Sequence, residues 1–160
     1  MEKFNLRVYG LLINDLGQIL VSDEFRNKHA FTKFPGGGME FGEGFKETLK
    51  REFQEELNID VEVGDLFYFN EKFQVSAFNS KHQLISFYYF VDYTDWKNIE
   101  VNQHELPLKI EGEKHRWIDL KSLEIGEFTF PIDKIVVDQL IKTTSQWASQ
   151  NTSDLDSHTH

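Results

Sequence analysis

The stretch that decides the fold runs from Phe34 to Ile59 and reads FPGGGMEFGEGFKETLKREFQEELNI. Its glycines at 36–38 permit positive φ and let a backbone approach a ligand without a Cβ in the way. Residues 45–57 contain no glycine or proline and are rich in strong helix formers, so they predict a helix. Asn58 follows, and asparagine ranks second after glycine as the left-handed residue that ends a helix.

Three glutamates crowd the end of this predicted helix, namely Glu52, Glu55 and Glu56. Like charges at i, i+4 destabilise a bare helix by about 0.2–0.5 kcal/mol, and carboxylates in the last turn also face the negative end of the helix dipole. A divalent cation would remove both penalties, and Mg²⁺ prefers oxygen ligands. Arg51 is spaced to brace the cluster by pairing with Glu47 or Glu55. The glutamates therefore predict a metal site, with a solvated face of charged residues as the alternative.

The spacing of these residues resembles the Nudix box. The matching positions of the box are Gly37, Glu43, Arg51, Glu52, Phe53, Glu55, Glu56 and Ile59, and the usual lead-in is matched by Pro35, Gly36 and Glu40. Asn58 stands where the family pattern has glycine, a departure that affects only the end of the helix. So many fixed positions within one short stretch are far more specific than a lone glycine motif.

The resemblance implies both a fold and an activity. The implied fold is α/β, the Nudix α/β/α sandwich with a mixed β-sheet. The implied activity is that of a pyrophosphohydrolase acting on acid anhydrides, with Mg²⁺ as cofactor and Mn²⁺ as the alternative ion. The first substrate reading is a nucleoside diphosphate linked to another moiety, such as a nucleotide sugar or ADP-ribose. The alternatives are a MutT-like nucleoside triphosphate pyrophosphohydrolase and a Nudix module that senses nucleotides without cleaving them.

The resemblance and the local chemistry together give each candidate residue an expected role. The expected catalytic residues are Arg51, Glu52, Glu55 and Glu56. The expected metal ligands are Gly37 through its carbonyl, Glu40, Glu52, Glu55 and Glu56. The expected substrate-binding residues are Arg26, Lys33, Gly36, Gly37 and Gly38. The general base is expected to be Glu52 or one of the acids from a later loop, Glu105, Glu111 or Glu113.

The rest of the 160-residue chain fits one domain at 1–148, followed by a polar tail at 149–160 that is expected to be disordered. Apolar and β-branched runs predict strands at 6–13, 18–22, 31–34, 84–91 and 114–118. Pro131 is expected to open a last helix, because proline is favoured at the first helical position. Strands, a helix, further strands and a closing helix agree with a mixed sheet covered by helices.

Composition limits the classes of partner. A net charge of −10 argues against general nucleic-acid binding, which needs a basic surface, but it does not exclude a small anionic substrate that comes with metal ions. The Nudix resemblance implies that the partner is a small nucleoside diphosphate or triphosphate. No apolar run approaches the roughly 20 residues that span a bilayer, and the lack of cysteine fits the expected cytoplasmic location. A homodimer is an open alternative. Phe25, Tyr93 and Trp96, placed in predicted loops, are candidates for stacking on a base.

Overall fold

The computed structural model describes residues 1–156, with side chains to residue 150. Within these residues the chain forms seven strands and two α-helices. In chain order they are β1 (Lys3–Leu12), β2 (Gln18–Arg26), β3 (His29–Lys33), β4 (Gly36–Gly38), α1 (Phe45–Leu57), β5 (Glu62–Phe69), β6 (His82–Asp92), β7 (Gly112–Asp119) and α2 (Pro131–Asp156).

The strands form two sheets. The four-stranded sheet has the order β4-β1-β6-β5, and the three-stranded sheet has the order β3-β2-β7. β1 and β6 pair in parallel, whereas all other neighbours are antiparallel. The turn from β1 to β2 is fixed by Asn14, whose Oδ1 accepts hydrogen bonds from the backbone N–H groups of Leu16 and Gln18. Gly17 completes that turn at φ 73°.

Helix α1 covers one side of the four-stranded sheet. Its Leu49 and Phe53 are fully buried and share a core cluster with Val8 and Leu12 of β1 and with Leu20 of β2. Phe53 also sets a steric limit on the strand beneath it, since a Cβ at Gly10 would lie 2.5 Å from its ring. The apolar stripe of α1 thus determines which face of the helix meets the sheet and which face carries the glutamates.

Helix α2 covers the opposite side through a second core cluster. Its Val136 and Leu140 pack with Leu11 of β1, Ile19 of β2 and Ile118 of β7, so residues of both sheets meet beneath this helix. Each cluster contains residues of both sheets. The two sheets are therefore held together between the helices, and the predicted α/β/α sandwich with a mixed sheet is confirmed.

Most predicted elements lie where the sequence places them. The helix at 45–57 is observed with those bounds, and Asn58 adopts the left-handed conformation at φ 54°, ψ 40°. β2 is longer than predicted and continues to Arg26, because polar residues at 23 and 24 face the interior rather than a loop. α2 begins at Pro131 as predicted and continues to Asp156, so it overlaps the predicted polar tail. Residues 157–160 of that tail lie outside the described residues.

Over the described part of the chain, no helix is long and apolar enough to cross a membrane.

The end of α1 generates a stability prediction. Because Asn58 holds positive φ, Asn58→Val should lower the free energy of unfolding by about 1–2 kcal/mol, whereas Asn58→Gly should stay close to wild type. Gly also loses the 2.7 Å hydrogen bond from Gln54 Nε2 to Asn58 Oδ1, so Gln54→Ala is the matched control for that contact. Urea denaturation measures all three variants. Equal stabilities for the Val and Gly variants would contradict the role of the left-handed residue.

Candidate active site

A cavity of about 880 Å³ opens where the two sheets meet α1 and the start of α2. This volume lies within the range of small-molecule pockets. Three kinds of side chain line it. The acidic ones are Glu24, Glu52, Glu56, Glu113 and Asp133, the basic ones include Arg7, Arg26 and Lys33, and the aromatic ones are Tyr9, Phe31, Phe78, Tyr88 and Phe130. The strand β4, made of three glycines, forms part of the same wall.

The glycine strand lies directly against the Glu52 carboxyl group. A Cβ built at Gly37 would lie 2.6 Å from Glu52 Cδ and 2.6 Å from Oε1, closer than real Cβ contacts allow. Gly36 is equally constrained, because it has φ 142° and a Cβ there would strike the backbone carbonyl of Val8. The predicted glycines therefore bring backbone, rather than side chain, up to a carboxylate of α1.

Arg51 links strand β4 and the segment that follows it to helix α1. Its Nη2 donates to the Gly38 carbonyl at 2.9 Å, and its Nε donates to Glu43 Oε2 at 2.6 Å. Its Nη1 donates to Glu52 Oε1 at 3.0 Å and to Glu55 Oε2 at 3.2 Å. Hydrogen bonding to Arg51 is the main reason that the pKa of Glu43 falls to about 2. One guanidinium thus fixes strand β4 and three carboxylates relative to each other.

Glu56 meets two residues of β7, Glu113 and His115. One donor atom from each of the three lies within 4.8 Å of the others, which is the geometry of a cation site. Glu56 Oε2 and His115 Nε2 are buried without a hydrogen-bond partner, although Nε2 lies 3.3 Å from Glu113 Oε1. Buried polar atoms seldom lack partners, and a bound cation would supply one. The donor set therefore fits a divalent metal ion.

The charges around Glu56 support the same reading. Burial raises the pKa of Glu56 to about 9; Lys33 opposes this shift, whereas Glu113 and Glu52 add to it. Burial also acts to raise the pKa of Glu113, but His115, Lys33 and the Ser22 hydroxyl outweigh it and lower that pKa. A cation of charge +2 would favour the ionised form of Glu56, as a coordinating metal does.

Lys33 and Arg26, the basic residues that the sequence predicts to bind substrate, both lie close to carboxylates. Lys33 is buried, and its Nζ lies 3.3 Å from Glu24 Oε1 and 4.0 Å from Glu113 Oε1. Arg26 is 65% exposed and lies 3.4 Å from Glu24 Oε2. Because Lys33 stands between two carboxylates, it offsets negative charge next to the Glu56 cluster.

Aromatic rings and a buried acid form another part of the cavity wall. Phe31, Phe78 and Phe130 pack against one another with ring centroids 5.3–5.7 Å apart. Beside them, Asp133 of α2 is buried and accepts a 2.6 Å hydrogen bond from the Tyr88 hydroxyl. Apolar and aromatic side chains with a few polar groups among them are typical of sites that hold a small molecule.

The structure brings some predicted residues together and leaves others apart. Gly37, Glu52 and Glu56 line the cavity, and Arg51 lies behind them, hydrogen-bonded to Glu52. The side chains of Glu40 and Glu55 are 68% and 58% exposed and are absent from the cavity wall. Of the three candidate loop acids, Glu113 reaches the site. Glu111 instead accepts a hydrogen bond from the backbone N–H of Asn27, and Glu105 is exposed.

Sequence reasoning missed several residues of the cavity and of the Glu56 donor cluster. His115 and Asp133 were given no role, and the three packed phenylalanines were not singled out. Phe25, Tyr93 and Trp96, the predicted stacking residues, are absent from the cavity wall, and Trp96 instead packs edge-on against Trp117. A signal for His115 existed in β7, since its alternating pattern places 113 and 115 on one face of the strand.

Comparison with known proteins gives three findings. The family model of the NUDIX domain matches residues 3–139. An 8-oxo-dGTP diphosphatase of Haemophilus influenzae is 27% identical over 137 residues, which are 84% of this chain and 90% of that protein. Two solved structures share the fold with a TM-score of 0.63. They are the E. coli ORF135 protein, 19% identical over 92% of this chain and 94% of its own, and a MutT protein from Methanosarcina mazei, 20% identical over 89% and 96%.

The contact between Gly37 and the Glu52 carboxylate predicts that a side chain at position 37 impairs turnover without unfolding the protein. Gly37→Ala should displace the flexible Glu52 carboxylate and lower kcat/KM about 100-fold or more, with little loss of stability. Gly44→Ala is the matched control, because its Cβ would meet only the tip of Glu47 at 3.2 Å. Steady-state kinetics and thermal melts test both variants. Wild-type activity in Gly37→Ala would show that Glu52 need not lie against the strand.

Asp133 predicts a pH-dependent stability. Burial raises its pKa to about 6, although Tyr88, Lys33 and Arg7 act to lower it. The folded protein thus keeps this proton to a higher pH than the unfolded chain, whose aspartate titrates near about 4. The contribution of Asp133 to the free energy of unfolding should therefore fall as pH rises from about 4 to about 6, by on the order of 3 kcal/mol, and change no further above that pH.

Asp133→Asn keeps an oxygen for the Tyr88 hydroxyl but cannot titrate, so it should lack this fall. Urea denaturation at pH 4, 5, 6 and 7 gives the difference between wild type and variant at each pH. Asp138→Asn, which removes a half-exposed acid of the same helix, is the control. A difference between Asp133→Asn and wild type that is constant from pH 4 to 7 would contradict the raised pKa.

Proposed function

This chain belongs to the Nudix family of pyrophosphohydrolases, and from that premise we propose that it hydrolyses a nucleoside triphosphate to a monophosphate and pyrophosphate. The observation that carries this proposal is that the carboxylate cluster and the packed phenylalanines line the same cavity. One wall offers groups for a phosphate chain with its metal ion, and another offers flat rings for a base. A ligand with both parts fits the cavity best.

The relative from Haemophilus influenzae suggests which base and which phosphate chain to test first. It is an 8-oxo-dGTP diphosphatase, so a purine deoxynucleoside triphosphate is the first substrate to test. This finding favours the MutT-like alternative over the nucleotide-sugar or ADP-ribose reading. A UDP-X diphosphatase structure also shares the fold, but at 17% identity and a TM-score of 0.55 it supports the fold alone.

We propose Mg²⁺ as the cofactor, with Mn²⁺ as the alternative ion. Glu52, Glu56 and Glu113 would hold it, with the Gly37 carbonyl, Glu40 and Glu55 completing the set through direct contact or bound water. When bound, a divalent ion neutralises phosphate charge and makes a coordinated water more acidic. His115 adds a nitrogen donor, whereas all the other donors are the oxygens that Mg²⁺ and Mn²⁺ favour.

The chain's own residues supply a proton acceptor and its orientation. We propose that Glu52 takes the proton as the water oxygen bonds to phosphorus and the bridging P–O bond between the α and β phosphates breaks. Glu113 is a weaker candidate for the base, because its three neighbours lower its pKa. Arg51 orients Glu52 from 3.0 Å and so acts as a positioning residue.

A substrate panel tests the proposed reaction. With Mg²⁺ present, 8-oxo-dGTP and ordinary deoxynucleoside triphosphates should yield a monophosphate and pyrophosphate, identified by mass spectrometry. Cleavage of nucleotide sugars or ADP-ribose alone would instead support the first substrate reading. Tight binding of nucleotides without any turnover would favour the non-catalytic sensing module.

Metal dependence is tested by a charge-removing variant on α1. Glu56→Gln should keep the fold and lose nearly all turnover, because a carboxamide cannot replace the carboxylate charge. Millimolar Mg²⁺ should raise the Tm of wild type by mass action but not that of the variant. Glu47→Gln removes the same charge from the exposed side of α1 and serves as the control. Full activity in Glu56→Gln, or in wild type with EDTA, would overturn the metal assignment.

A further inference from the structure

Arg7 differs from the other basic residues that line the cavity. Lys33 and Arg26 each lie within 3.4 Å of a Glu24 oxygen. Across residues 1–150, where side chains are described, no carboxylate oxygen lies within 4.0 Å of the Arg7 guanidinium. Sequence reasoning gave Arg7 no role, because a single arginine in a predicted strand carries no motif.

The strand register places Arg7 beside the glycine strand. Arg7 of β1 is paired with Gly38 of β4, and its Nη1 would lie 3.6 Å from a Cβ at Gly38. Alternation along β1 puts Asn5, Arg7 and Tyr9 on the cavity side. The guanidinium therefore lies next to strand β4, which carries the proposed metal ligand Gly37.

The orientation of the guanidinium is fixed by Tyr9. Arg7 Nε donates to the Tyr9 hydroxyl at 2.6 Å, and the guanidinium carbon lies 5.6 Å from the centre of the Tyr9 ring. Within the described residues, Nη1 and Nη2 make no hydrogen bond. One edge of the guanidinium is thus held by the protein, and its terminal nitrogens remain available to a ligand.

Arg7 keeps its positive charge in this position. Burial acts to lower its pKa, but the Tyr9 hydroxyl and the carboxylates of Glu52 and Glu24 outweigh burial and raise it. Arg7 is half-buried, and a cation withdrawn from water usually has an anionic partner, because desolvation is costly for a charge. The planar fork of a guanidinium matches phosphate oxygens and binds them with two parallel hydrogen bonds.

We propose that Arg7 binds a phosphate group of the substrate directly, through Nη1 and Nη2, and so makes the cavity selective for phosphorylated ligands. This proposal rests on the proposed function for the identity of the substrate, but not for the contact itself. Lys33, already placed between two carboxylates, offsets charge inside the protein, whereas Arg7 offsets charge on the ligand.

Two variants at Arg7 test the contact. Arg7→Met should lower kcat/KM for the nucleoside triphosphate about 10- to 100-fold and weaken the binding of inorganic tripolyphosphate with Mg²⁺ by a similar factor. Its affinity for the unphosphorylated nucleoside should stay within about twofold of wild type. Arg7→Lys keeps the charge without the fork and should recover part of the loss. Isothermal titration gives the affinities, and thermal melts verify that the variants fold.

Tyr9→Phe separates a ligand contact from a structural one. Tyr9→Phe loosens the guanidinium but leaves its charge in the cavity, so under the proposal it should cause a smaller loss than Arg7→Met. If Arg7 only held the Tyr9 hydroxyl, Tyr9→Phe would cause the same loss as Arg7→Met, and nucleoside binding would fall as well; either result overturns the proposal. Lys142→Met removes an exposed positive charge from α2 and should leave all values unchanged. Equal tripolyphosphate affinity in wild type and Arg7→Met also overturns the proposal, as does a wild type that binds no phosphate compound.

Failure of the proposed function gives a different pattern. A wild type that cleaves no nucleoside triphosphate, yet binds tripolyphosphate more tightly than Arg7→Met does, would remove the proposed reaction and support the role of Arg7.

Discussion

The close approach of the Gly37 backbone to the Glu52 carboxylate is the constraint on which the site depends. It requires a residue without a side chain in the edge strand β4, and it sets how near α1 can lie to the four-stranded sheet. Arg51 maintains this approach, because its guanidinium contacts the Gly38 carbonyl and Glu52 at the same time. Such contacts hold the reacting groups in place before a ligand arrives. Groups that need not rearrange during the reaction stabilise the transition state more effectively.

The sequence predicted the local part of this arrangement better than the non-local part. The bounds of α1 and the left-handed Asn58 depend on residues only a few positions apart, so composition and spacing were enough. Glu113 was predicted as one of three equivalent acids, because only the pairing of β7 with β2 decides which of them reaches Glu56. Asp133 could not be anticipated, since its role depends on contact with Tyr88 across the core.

Electrostatics explains the surroundings of Lys33, one of the predicted substrate-binding residues. Proximity in sequence to the glycine loop made Lys33 a candidate for binding phosphate, yet the fold surrounds it with Glu24 and Glu113. A buried lysine needs such partners to remain charged. The carboxylates that would bind a cation are thus partly neutralised by the protein itself, which lowers the cost of assembling so many acids in one place.

The parallel pairing of β1 with β6 has a consequence for how the chain folds. Lys3 is in register with His82 and Leu12 with Val91, so the first strand finds its central neighbour only after a large part of the chain has been made. Contacts this distant in sequence slow folding, because a long loop must close before they stabilise anything. On the ribosome, α1 can form early as a local helix, but its Glu56 meets Glu113 and His115 only when β7 has emerged and the sheets have joined. The active site is therefore completed only late in the synthesis and folding of the chain.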